Sequence, residues 1–195
     1  MTESDRSLAH PLTLDTLAAY RLGELARDEE ERVEAHYFDC ATCSARLRFV
    51  ESLVREVPAL VREGRVSAAV TPAFVALAAE RGVTLRRYDV EIGESVQCTV
   101  APRDDLIITR LGVPLPPGTA VDIETEVEPA GAGAVTRFVT ADVSVDAESG
   151  GVIFAHASET IRAYPKSRVV FHVRARESGE LFGPYTMNHT PWQLG

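Results

Sequence analysis

Three side chains able to bind a soft or borderline metal fall in one short stretch, His36-Tyr-Phe-Asp-Cys40-Ala-Thr-Cys43, at i, i+4 and i+7. Helical geometry puts such positions on one side. An imidazole nitrogen with two thiolate sulfurs suits zinc, which takes these donors tetrahedrally and needs no redox chemistry. If Cys40 and Cys43 open a helix, its dipole also favours their thiolate forms. A structural site needs a fourth donor, and His10, just before Pro11 and the first expected helix, is the best placed nearby. The competing reading makes Cys40 and Cys43 small buried residues and His36 a helix-surface histidine.

Elsewhere the chemistry-bearing residues do not form a pattern. Strand alternation puts His156 on the face of Val152 and Phe154 and Glu159 on the other, which argues against a metal shared between them. His172 and His189 stand apart, and Cys98, between Val96 and Val100, reads as strand core. There is no nucleophile elbow, phosphate loop or zinc-protease signature, so an enzyme is not expected. A formal charge of -9 disfavours a DNA-binding surface, which needs clustered Lys and Arg. With three cysteines, no basic-then-apolar leader and no long apolar run, a reducing, cytoplasmic setting without membrane contact is expected.

The elements that must position these residues change period along the chain. Up to Gly82 apolar residues recur at helical spacing, and from Val83 onward they alternate. A helix is expected over 14–25, a second from Arg27 with Asp28, Glu29, Glu30 and Glu31 in its first turn, and a third from Cys40–Cys43 through Val57. A fourth, N-capped by Thr71 with Pro72 behind it, carries Phe74, Leu77 and Ala78 and stops at Gly82. Val121, Ile123, Thr125 and Val127, alternating with Asp122, Glu124, Glu126 and Glu128, spell a half-buried strand. Similar patterns lie over 139–145, 152–161 and 169–173, with weaker ones near 85–92, 97–100 and 106–109. The expected fold is α+β with two domains: a four-helix zinc-binding domain at 1–82, then an antiparallel β-sandwich, jelly roll or cupin-like barrel at 83–195.

Over about residues 8–80 the chain resembles the zinc-binding anti-sigma domain that inhibits bacterial sigma factors of the extracytoplasmic-function group. The resemblance is carried by His10, Leu17-Ala-Ala-Tyr20, Leu22-Gly-Glu-Leu25, the acidic run Asp28 to Glu34, and His36-x3-Cys40-x2-Cys43. It implies one structural zinc on His10, His36, Cys40 and Cys43, a sigma-factor partner, and transcription regulation by sequestration. Many members carry Cys where this chain has His10, and those that sense oxidants form a disulfide through that Cys. The His10 pattern is similar to members that hold zinc structurally and leave sensing to an appended C-terminal domain, often a cupin-type barrel. The resemblance also implies that exposed apolar residues of the fourth helix, Phe74, Val75 and Leu77, touch the partner. Two other functions compete: an interaction module with a non-sigma partner, and a small metalloenzyme acting through the β domain.

Overall fold

The structure is a computed structural model describing residues 12–62, 67–131 and 133–192. Among these lie five helices and nine strands, and the chain divides into two compact units, 1–57 and 58–195.

The first unit is built on three helices. Helix α1, Leu14–Leu22, starts where the Thr13 hydroxyl accepts from the Thr16 amide at 3.0 Å. It stops at Gly23, whose φ of 72° suits glycine and lets the Gly23 and Glu24 amides close onto the carbonyls of Tyr20 and Ala19 respectively. Helix α2, Arg27–Asp39, has no side-chain cap at Ala26; Asp28, Glu29 and Glu30 complement its N-terminal dipole instead. Helix α3, Ala41–Arg62, follows after the single non-helical residue Cys40, with φ of -118°. Leu12, Leu17, Val33, Cys43, Leu47 and Val50 form the core. On α3 that stripe is Cys43, Leu47, Val50, so the i, i+4, i+7 repeat that buries the helix also buries a candidate ligand.

The second unit holds two mixed sheets around a shared core. Its strands are β1 (Ser67–Val70), β2 (Leu85–Val90), β3 (Ser95–Cys98), β4 (Leu106–Gly112), β5 (Ala120–Pro129), β6 (Thr136–Ser144), β7 (Gly151–Ala157), β8 (Ser167–Ala175) and β9 (Leu181–His189). One sheet runs β1-β7-β4-β2 and the other β3-β9-β8-β5-β6. Ile107, Leu111, Val152 and Phe154 from the first meet Val121, Ile123, Phe171 and Tyr185 from the second in one buried cluster. Burying each such side chain is worth roughly 1.5–3 kcal/mol. The outer face of β5 carries its acids against arginines: Glu124 with Arg174 and Glu126 with Arg137, both at 2.7 Å. These pairs are half exposed and set register more than stability.

This architecture corrects the expected fold. There is no four-helix N-terminal domain, because α4 (Pro72–Glu80) lies in the second unit, behind β1, which pairs with β7 from Ser67↔His156 to Val70↔Ile153. Nor is there an antiparallel sandwich, jelly roll or cupin-like barrel: β2 runs parallel to β4 and β3 parallel to β9. The physical reason lies in connectivity. Strand β3 falls between β2 and β4 in sequence yet pairs in the other sheet, so β2 and β4 reach each other in parallel by a crossing that needs no helix. The strand expected to continue to Ile161 ends at Ala157, and α5 (Ser158–Arg162) takes over.

Candidate metal centre

His36 lies in the last turns of α2, Cys40 at the junction, and Cys43 in the first turn of α3. The three therefore do not share one continuous helix; the break at Cys40 folds the chain so that they converge. The junction is held by Ser44, whose amide bonds the Cys40 carbonyl at 2.9 Å and whose hydroxyl donates to the Tyr37 carbonyl at 2.5 Å. One of the otherwise unbonded carbonyls at the end of α2 is thereby satisfied.

The donor atoms of His36, Cys40 and Cys43 all lie within 4.8 Å of one another, with His36 Nε2 at 3.3 Å from Cys43 Sγ. Tetrahedral zinc with ordinary Zn–S and Zn–N bonds requires ligand-to-ligand separations of about 3.6–3.8 Å, so small side-chain rotations suffice. No other group of three or more metal-binding side chains comes together among the described residues. Cys43 is fully buried, while Cys40 and His36 are half exposed. The Cys40 thiol is held below its ordinary pKa, chiefly by the Cys43 backbone amide, then by the Cys43 side chain and the Thr42 amide, against an opposing effect of burial. This is a helix N-terminus favouring a thiolate.

A further bond ties in the entering chain. The Leu12 amide donates to Cys43 Sγ at 3.3 Å, and Arg46 Nη1 donates to the Leu12 carbonyl at 2.8 Å. Both polar groups of Leu12 are thus anchored on α3. His10, the expected fourth ligand, lies outside the described residues. Among known protein families the chain matches none, and no curated protein matches it.

The remaining residues singled out from sequence are dispersed. On α4, Val75 is 3 % exposed, and Phe74 and Leu77 are half-buried. Cys98 is strand core, its thiol pushed up by burial. His156 stacks on Phe154 with centroids 6.1 Å apart and bonds the Ser67 hydroxyl through Nδ1 at 3.0 Å. Glu159 falls on α5 and is exposed. Sequence reasoning passed over the Leu12 amide and the Ser44 bridge, because backbone donors and capping hydroxyls carry no spacing signature.

No helix among the described residues is long and apolar enough to cross a membrane.

Proposed function

We propose that the first unit is a zinc-stabilised anti-sigma module, which sequesters an extracytoplasmic-function sigma factor under the control of the second unit. The observation that carries the metal reading is the convergence of His36, Cys40 and Cys43 at a helix junction, with a backbone amide on Cys43 Sγ. His10 completes the set: it precedes the anchored Leu12 by two residues, a span of at most about 7 Å of chain. Two imidazoles and two thiolates leave zinc no open position, so its role is to clamp the helices, not to catalyse.

The partner reading rests on the sequence resemblance and on apolar side chains that the unit leaves exposed. Phe38, stacked on Tyr37, is 74 % exposed, and Phe49 and Leu14 are each about half exposed. Because α4 belongs to the second unit and Val75 is buried there, the contact face is assigned to α1, α2 and α3. Co-expression with a sigma factor of the extracytoplasmic-function group from the same organism, followed by co-purification and a transcription assay, is the test. A stable complex and inhibited transcription are expected, both weakened by Phe38→Ala with Phe49→Ala. A zinc-loaded protein that neither binds nor inhibits the sigma factor overturns the partner assignment and leaves a module for another protein.

A further inference from the structure

The second unit contains a cavity of about 160 Å³ between its two sheets. Its walls are mostly apolar and aromatic, with Phe154 and Phe171 stacked at a centroid distance of 6.1 Å and Met187 beside them. Phe138 and Tyr164, 48 % and 45 % exposed, mark its mouth. A cavity of about 150 Å³ is enough for a benzene ring, and a volume several times that of one water molecule is not filled by a single bridging water.

Among the described wall residues, one side chain has fully buried polar atoms without a hydrogen bond. His189, at the end of β9, is 4 % exposed, and neither ring nitrogen makes a hydrogen bond. Other wall groups are occupied: Thr109 Oγ1 donates to Met187 Sδ, the Ser67 hydroxyl pairs with His156, and the Ser167 hydroxyl donates to the Pro165 carbonyl. Leaving a buried imidazole without partners is costly, so the arrangement calls for a ligand group to complete it. Burial lowers the His189 pKa by more than the nearby Tyr164 backbone raises it, so the ring is neutral near pH 7. A neutral imidazole offers one acceptor and one donor.

Among the described residues the wall contains no Lys, Arg, Asp or Glu. A charged ligand would be buried without a counter-ion, so a neutral one is selected. Stacked phenylalanines and a thioether favour an aromatic ring. We propose that this cavity binds a neutral single-ring aromatic molecule bearing a hydroxyl group, with His189 as the hydrogen-bond partner of that hydroxyl. The site lies wholly in the second unit and stands or falls separately from the metal centre.

Phenol, toluene and benzoate distinguish the parts of this statement. The chain has two methionines, Met1 and Met187, so methyl-labelled methionine gives one NMR signal inside the cavity. Titrating the full chain with phenol is expected to shift the Met187 methyl saturably, at least about tenfold more tightly than toluene, while benzoate leaves it unmoved. In His189→Phe, phenol and toluene are expected to bind equally. Ala68→Trp, on the exposed edge strand β1, is expected to block both probes without disturbing the core, and it serves as the test should His189→Phe fold poorly. A Met187 signal unmoved by phenol and toluene, benzoate binding as tightly as phenol, an unchanged phenol preference in His189→Phe, or full binding by Ala68→Trp each overturns the proposal.

Discussion

Single side chains in this protein carry more than one duty, and the cost of changing them follows from that. Cys43 belongs to the core of the first unit and also accepts the Leu12 amide and faces His36. Cys43→Ala is therefore expected to lose metal and stability together, whereas His36→Ala, at a half-exposed position, is expected to lose metal while the core stays packed. Elemental analysis should give about one zinc per wild-type chain and near none for either variant; full occupancy in both would show the ligands to be wrong. Tyr185 has a comparable double role. It is the largest fully buried side chain among the described residues and donates to the Gly112 carbonyl at 2.8 Å. Tyr185→Phe leaves that carbonyl without its donor and is expected to cost about 1–3 kcal/mol in urea unfolding. Burial, reinforced by Glu91, pushes the Tyr185 hydroxyl up from 10.0 to about 12. A raised pKa means that the folded state holds the proton more tightly, so this contribution is complete below pH 10 and is lost as pH rises toward 12. The stability gap between wild type and Tyr185→Phe should narrow across that window; a gap that stays constant would show that ionisation of this hydroxyl does not matter.

Among the elements, the pairing of β4 with β7 is the tightest constraint. Gly112 and Gly151 face each other in the register, and a Cβ built at Gly151 would overlap the Leu111 carbonyl oxygen. Backbone cannot yield as a flexible side chain can, so Gly151→Ala is expected to destabilise the second unit by about 1–3 kcal/mol. Thermal unfolding measures this, and a change below a few tenths would mean that the strands separate there without penalty. The Thr71 cap of α4 was legible beforehand, whereas the end of α1 was not: the helix expected to reach Leu25 stops at Leu22, closed by Gly23. Strand β9 was not legible either, because Leu-Phe-Gly-Pro-Tyr contains a Gly-Pro pair that reads as a turn. Strand β1 was missed since four residues, Ser-Ala-Ala-Val, carry too little alternation to register.

For the whole molecule, two separate cores imply two separable stabilities. Leu12, Leu17, Val33 and Leu47 pack with one another, and the strand residues form their own cluster. Removing zinc with a strong chelator is expected to lower the helical transition in far-UV circular dichroism and to leave the sheet transition in place, since no candidate ligand contributes to the sheets. A single transition that shifts as one would show the units to be coupled.

What the sequence determined by itself was local: His36, Cys40 and Cys43 as a donor set, four helix starts, and the inward faces of β5 and β8, all of which depend on side-chain type and period within a few residues. Tertiary structure decided the rest. It split α4 from α1–α3, ran β2 beside β4 and β3 beside β9 in parallel, set the Leu12 amide on Cys43 Sγ, and closed a cavity around His189. Alternation specifies which face of a strand is buried but not its neighbour or their relative direction. Those follow from how the whole apolar surface is shared between two sheets, which no window of sequence contains.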